Sequence, residues 1–326
     1  IGTGSSACQF IPPVADQASE LTVFQRTAPW LLPTPNYHDA VPEGLVWLFR
    51  HVPFYAEWYR FWLFWTTAES MLPAVEVEED WPHKERSVGA RNDETRAMLT
   101  EYLRGACNGD EALFAKMLPD YPPFAKRFVR DNGILPATYA RDHVTLETAG
   151  IERITETGIR TRDGRDLEVD VLIYGTGFTA SEFLMPLKVV GRGGRNLHEV
   201  WDGDARAYLG ITLPRFPNLF LLYGPNTNIV VNGSIIFFTE CEVDYVVAAI
   251  RELLEGEHRA MDCRQAVHDA YNERIDAANL RRAWGAATVN SWYKNETGRV
   301  SQNWPFNLLE FWKQTRAPDP ADYDLI

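Results

Sequence analysis

Six residues near the start of the chain restrict its fold more than any others: Gly2-Thr3-Gly4-Ser5-Ser6-Ala7. They read as Gly-x-Gly-x-x-Ala. The first glycine allows a tight turn, the second lets the backbone approach a pyrophosphate, and the small third residue lets a helix pack closely on a strand. Such a loop belongs between a strand and a helix, because the free N–H groups and the dipole at the helix start attract an anion. A helical stretch follows, and Leu21-Thr22-Val23-Phe24, apolar and partly β-branched, reads as the next strand. Pro12 and Pro13 fall inside the expected helix and should kink it. Gly2, Thr3, Gly4, Ser5 and Ser6 are therefore candidate phosphate-binding residues. Only Ile1 precedes Gly2, so a cut is expected inside the strand that feeds the loop.

After its second strand, an enzyme that prefers NAD usually carries an acidic residue for the ribose 2′-hydroxyl. This chain has Gln25-Arg26-Thr27 there. A single arginine is by default a solvated one. At this position, though, a guanidinium can fork onto a 2′-phosphate, which points to NADP(H). A second Gly-x-Gly-x-x-Ala occurs at Gly175-Thr176-Gly177-Phe178-Thr179-Ala180, after the apolar run VDVLIY at 169–174. That run reads as a strand buried on both faces. Pro186 and the glycines at 191, 193 and 194 leave little room for a following helix. Thr176 and Gly177 are read instead as a strand-end loop where backbone approaches a cofactor.

Between and beyond these motifs the character of the chain changes several times. Residues 1–30 and 120–180 carry the α/β signals, and residues 31–119 read as a helical insertion. Within the insertion, Arg91 to Arg104 and Glu111 to Leu118 read as helices, and Glu76 to Arg86 as a solvated loop. Ile159 to Asp170 reads as a hairpin turning at Asp163-Gly164. Leu219 to Tyr223 carries a strand signal. Ser234 should cap a helix that runs through Leu254 and ends at Gly256. The last seventy residues are helical, then irregular and aromatic.

Length and composition suit an ordinary globular protein. The 326 residues are 45% hydrophobic and 24% charged, enough for about two domains. A net charge of -13 argues against a nucleic-acid surface, which needs a basic patch. Cys8, Cys107, Cys241 and Cys263 lack zinc-like or Cys-x-x-Cys spacing and read as reduced thiols of a cytoplasmic protein. The segment LVWLFRHVPFYAEWYRFWLFWT at 45–66 tests a membrane reading. Arg50, His51, Glu57 and Arg60 oppose a spanning helix, and Pro53 should break it. Trp58, Phe61, Trp62 and Trp65 share one helical face. That face is expected to be buried, with a peripheral membrane or partner surface as the other reading.

Taken in order and spacing, several motifs resemble one family: GTGSSA at 2–7, LTVFQRTAPWLLP at 21–33, Lys126-Arg127, VLIYGTGF at 171–178, FLLYGPNTN at 220–228 and Ser291-Trp292-Tyr293. Together they look like the C-terminal part of a flavin-dependent Baeyer–Villiger monooxygenase, nearest to the 4-hydroxyacetophenone type. The resemblance covers essentially the whole chain. It implies an α/β protein: a Rossmann-like NADP-binding domain at 1–30 and 120–180 with a helical insertion at 31–119. The C-terminal part of a FAD-binding Rossmann-like domain would follow at 181–326. The cofactors it implies are FAD and NADP.

The resemblance also implies roles. Arg26 and Thr27 would hold the 2′-phosphate, with Lys126 alongside. Arg127 would be the catalytic arginine that stabilises an anionic peroxyflavin. Trp292 would contact the nicotinamide half of NADP, and Asn232, Gly233 and Ser234 would lie near the isoalloxazine. The implied reaction transfers hydride from NADPH to FAD. Dioxygen then adds to the flavin, and one oxygen atom is inserted beside a ketone carbonyl to give an ester. Arg127 would act by electrostatic preorganisation. Taken on its own, a Lys-Arg pair is more often a solvated basic pair. Two other readings stay open at this point: an N- or S-oxygenating flavin monooxygenase, and a non-catalytic NADP-binding module. The first FAD fingerprint and the family's His- and Trp-bearing signature are not in this sequence. A chain without them is expected to bind FAD poorly and to turn over no ketone alone.

Overall fold

The computed structural model describes residues 1–37, 39–67, 71–231 and 233–326. The chain divides into two compact units. The first holds residues 1–40, 85–87 and 93–178; the second holds 41–84, 88–92 and 179–326. The segment 31–119 is therefore shared between them.

The first unit is built on the opening glycine turn. Helix α1 (Ser5–Ala15) runs through both Pro12 and Pro13 and leads to β1 (Leu21–Phe24). Strand β1 pairs in parallel with β4 (Val144–Glu147), Leu21 opposite Val144. On its other side the Gly2 N–H donates to Phe24 O at 2.9 Å. Ile1 in turn bonds the segment that runs into Gly175: its nitrogen donates to Ile173 O at 2.7 Å and its carbonyl accepts from Gly175 N–H at 2.8 Å. This is the bonding of a parallel ladder one residue long. The expected strand at 169–174 is consequently not a regular strand. Val171 and Tyr174 are exposed rather than buried.

A second parallel pair joins β2 (Leu31–Pro33) to β3 (Val129–Asp131). The helices α4 (Ala90–Ala106) and α5 (Glu111–Met117) match the pattern read from sequence. Asp110 caps α5 by accepting from Leu113 N–H at 2.9 Å. Asp131 takes the N–H groups of Gly133 and Leu135, so that β3 turns directly into α6 (Ile134–Tyr139). Leu103, Phe114, Met117, Leu135 and Leu146 pack around Ala7, Cys8, Ile11 and Ala15 of α1. An antiparallel meander follows: β5 (Ile151–Ile154), β6 (Gly158–Thr161) and β7 (Asp166–Glu168). The β6–β7 turn lies at Asp163-Gly164 as expected, with Gly164 at φ 91.

The second unit contains α2 (Glu43–His51) and α3 (Tyr55–Thr67), separated around Pro53 as expected. The aromatic face at Trp58, Phe61, Trp62 and Trp65 is exposed, contrary to expectation, with Trp65 at 71%. The reason is that α3 docks through a different side. Phe64 meets Phe237 at 4.6 Å, and Arg60 pairs with Glu240. Trp58, Phe61 and Trp65 stack along the outer surface of the helix instead. None of the described helices is long and apolar enough to cross a membrane.

The rest of this unit comprises α7 (Leu197–Trp201), α8 (Ile235–Glu255), β8 (Met261–Cys263), α9 (Gln265–Leu280), α10 (Ala283–Ala286), α11 (Leu308–Gln314) and β9 (Tyr323–Leu325). Ser234 caps α8, accepting from Ile236 N–H at 3.2 Å, and Gly256 closes it. The expected strand at 219–223 is irregular. Its one ladder-like bond runs from Leu221 N–H to Ile211 O, and Tyr223 turns the chain away at φ 56. All four cysteines are free and buried.

A partly buried ion network joins several segments of the unit. The Arg299 side chain is 10% exposed and donates to Asp276 at 2.7 Å, Asp204 at 3.1 Å and Asn226 at 2.9 Å. Arg206 pairs with the same two aspartates. Two arginines thus balance two partly buried carboxylates, and Arg299 is the member most shielded from water. Removing one partner of a buried pair leaves charge uncompensated. Arg299→Ala should therefore lower unfolding free energy by about 3 kcal/mol in urea titration. A loss below about 0.5 kcal/mol, the range of an ordinary surface substitution, would show that the network carries no stability.

Candidate functional site

In the first unit the glycine turn enters α1, Arg26 and Thr27 follow the C-terminal end of β1, and Lys126 and Arg127 precede β3. Gly2 sits at φ 106, and a Cβ there would lie 2.3 Å from Gly175 O. Only glycine fits this position. Gly175 is held as closely: a Cβ on it would meet the Ala7 side chain at 3.0 Å. The small residue at position 7 thus does what the motif requires, letting α1 pack against the 173–175 segment. A Cβ at Gly4, in contrast, would meet nothing within 4 Å. This glycine is exposed at the N-terminus of α1, and its backbone lies open to a ligand. No side chain caps the helix, so its first N–H groups face outward beside the exposed Ser5 and Ser6. Thr3 is buried and acts structurally, its hydroxyl donating to Thr27 O at 3.4 Å and its carbonyl accepting from the Cys8 thiol. The loop and the end of β1 are thereby tied together. Burial, reinforced by Asp131, pushes that thiol up to about 12, so Cys8 is packing and not a nucleophile.

Arg26 follows β1 directly and is exposed. Among the described residues it makes no hydrogen bond or ion pair. Lys126 lies near enough to feel its charge. Partial burial lowers the Lys126 ammonium first, Arg26 lowers it further, and Asp120 opposes both. A like charge disfavours the charged form of its neighbour, and an added anion would favour both cations. The Lys126 ammonium lies 5.1 Å from the centre of the Tyr121 ring. Tyr121 is anchored in turn: its hydroxyl donates to Ala28 O at 3.0 Å, and its carbonyl accepts from the Trp30 indole at 3.0 Å and from Arg96 at 3.3 Å. Tyr121, Trp30 and Arg96 were not found by sequence reasoning. They form the packed support beneath the Lys126 ammonium, and no sequence signal pointed to it.

Arg127 is exposed and has no ion-pair partner among the described residues. Thr176 and Gly177 are exposed too, with Gly177 at φ 96, and no helix follows them. The second Gly-x-Gly-x-x-Ala is an exposed loop with no helix after it, and the segment before it is not a regular strand.

The remaining candidates belong to the second unit. Trp292 is 38% exposed and rests on Tyr293 at 4.6 Å. Gly233, at φ 72, lies against Leu308, where a Cβ would come within 2.1 Å. The Ser234 hydroxyl oxygen is already occupied in capping α8. Asn232 lies outside the described residues. Among the described residues no cluster of His, Cys, Asp or Glu could hold a metal.

No family model matches the chain. It is 38% identical over 324 residues to an uncharacterized monooxygenase of Sinorhizobium fredii, covering 99% of this chain and 49% of that protein. It is 31% identical over 327 residues to a Baeyer–Villiger monooxygenase of Streptomyces coelicolor, covering 100% of this chain and 60% of that one. The chain thus spans about half the length of the first relative and three fifths of the second. Among solved structures, oxidized steroid monooxygenase bound to NADP matches with a TM-score of 0.76 at 26% identity, over 100% of this chain and 66% of that one. Closed cyclohexanone monooxygenase matches with a TM-score of 0.79 at 23% identity, again over 100% and 66%. The fold is the mixed α/β, Rossmann-type architecture of flavin-dependent monooxygenases. Within that class, the curated proteins it resembles are FAD-binding and Baeyer–Villiger monooxygenases.

The electrostatic pairing makes a specific prediction. Arg26→Ala should raise the Lys126 pKa toward the ordinary lysine value, as followed by NMR of its side-chain ammonium. An unchanged titration would mean that the two cations do not share a site.

Proposed function

We propose that this chain provides the NADPH-binding and oxygen-stabilising parts of a Baeyer–Villiger monooxygenase, nearest to the 4-hydroxyacetophenone type, which converts a ketone to an ester. The observation that carries this reading is the Arg26–Lys126 cation pair beside the glycine turn. The turn suits a pyrophosphate: Gly4 is open to solvent, the helix start is uncapped, and Gly2 holds the backbone in the required bend. Arg26 and Lys126, with Thr27 between the loop and β1, suit the 2′-phosphate that distinguishes NADP from NAD. When bound, NADPH supplies hydride, and FAD accepts it and uses the electrons to activate dioxygen. The FAD assignment draws on the names of the relatives and on the motif at 220–228.

The protein's own contribution would be binding, orientation and charge. Arg127 offers a guanidinium that no carboxylate among the described residues neutralises. A fixed cation placed where negative charge develops on oxygen lowers the barrier without reorganising in the step. Trp292 offers a flat, half-exposed ring of the kind that packs on a nicotinamide or ribose. The apolar ketone pocket would be assembled from several segments, and the ketone is set by their combined shape.

The test uses the protein expressed from the longest open reading frame that contains these residues, supplied with FAD, NADPH, a cyclic ketone and 18O-labelled dioxygen. A lactone carrying one labelled oxygen is the expected product. Arg127→Ala should cut lactone formation by about a hundredfold while NADPH oxidation continues, as expected for loss of one charge-stabilising group. Oxygen transfer to an amine or sulfide with no lactone would replace this reading. Lactone formation unaffected by Arg127→Ala would remove the role given to that arginine.

A further inference from the structure

The second unit holds a carboxyl group that the proposed reaction does not use. Glu242 lies on α8 and is completely buried. Its Oε2 accepts the Tyr223 N–H at 2.9 Å. Its Oε1 is buried and has no partner among the described residues. The residue it holds is strained: Tyr223 sits at φ 56, in the left-handed region that a bulky side chain rarely adopts. The turn beyond it is packed without slack. A Cβ at Gly224 would lie 2.1 Å from Gly210 O, and the Thr227 methyl fills the space beside Gly210. The turn is also held by neutral amides and one cation. Asn226 donates to Val300 O and Asn303 O and accepts from Arg299, and Asn228 donates to Asn303 Oδ1 at 2.7 Å. The Glu242 carboxyl accepts from Tyr223 at the start of the same turn.

We propose that Glu242 is the positioning residue of the turn formed by residues 223–228, and that it holds this turn only as the neutral acid. An ionised carboxylate needs more than one donor when water is excluded, and here one oxygen has none. A neutral carboxyl accepts from Tyr223 through one oxygen and carries its proton beside the Thr227 hydroxyl, which itself donates to Gly224 O at 2.8 Å. Burial raises this carboxyl to about 7, although the Tyr223 N–H and the Thr227 hydroxyl pull it back. No charged side chain enters that balance. The titratable groups beside it are Cys241 on the same helix, whose own thiol burial raises to about 11, and the Tyr223 phenol. Arg299 reaches the turn through Asn226. The turn leads over residues 229–233 to the cap of α8. On the functional reading above, that is the stretch beside the isoalloxazine, so the proton on Glu242 would also set the flavin-facing loop.

The sign follows from the direction of the shift. In the open turn Glu242 meets water and ionises at its ordinary value; in the closed turn it stays protonated to about 7. Opening therefore becomes easier as pH rises between these two values, by about tenfold per unit, and levels off above the second.

Amide hydrogen exchange of the 219–228 segment, corrected for intrinsic rates and run without nucleotide, reads this directly. Protection should fall by about fortyfold from pH 5 to pH 7, and the Glu242→Gln variant should stay flat across that range. Equal pH dependence in the two proteins, or none in either, would overturn the proposal. Carbon NMR of labelled glutamate carboxyls in the unsubstituted chain gives a check that needs no variant. One resonance should titrate near pH 7, and the proposal fails if every glutamate titrates below about 5. Both measurements omit FAD and NADPH, so their outcome is separate from that of the oxygenation assay.

Discussion

The first unit depends on how closely three backbone segments meet at the opening turn. Ile1 lies between Phe24 on one side and the 173–175 segment on the other, and the chain must reverse within one residue to enter α1. Gly2 makes that reversal with its α-carbon against the Gly175 carbonyl, and Ala7 makes the matching contact from the helix. Any larger side chain at these points would separate the helix from the sheet edge. Its first N–H groups would then no longer converge at the mouth of the turn. The same closeness places Thr27 and Arg26 beside the loop, because the Thr3 hydroxyl ties the two together.

From that geometry the electrostatics follow. An uncapped helix start attracts the pyrophosphate of a dinucleotide, and the end of β1 is where its ribose must lie. On the proposed reading, Arg26 there, with Lys126 near it, would favour an entering dianion; burial first and Arg26 second lower the Lys126 ammonium, and Asp120 opposes them. The surrounding chain carries a net charge of -13, so this local concentration of positive charge stands against the trend of the whole. In the second unit the same principle runs in reverse: Glu242 is an acid placed where a negative charge is unwelcome.

Much of this could be read in the sequence, because glycine and capping rules act locally. The turn at 2–7, the hairpin at Asp163-Gly164, and α8 with its cap at Ser234 and its stop at Gly256 all follow from a few adjacent residues. Burial was harder to read. The run at 169–174 has the composition of a fully covered strand, yet Val171 and Tyr174 are exposed, since coverage is supplied by neighbours and not by composition. The tryptophan face of α3 erred for a related reason. Helical spacing shows which residues share a face but not which face docks, and here Phe64 and Arg60 made the contact. The Tyr121–Trp30–Arg96 support and the buried Glu242 were equally hidden, because each joins residues far apart in the chain.

The central claim is that Arg26 and Lys126 form a seat for one phosphate group. Calorimetric titration of the chain with adenosine 2′,5′-bisphosphate and with adenosine 5′-phosphate isolates that group from every other part of the cofactor. The bisphosphate should bind at least about tenfold more tightly, the worth of one charge-assisted contact of about 1.5 kcal/mol, and added salt should erode the difference. Equal affinities for the two nucleotides would contradict the account.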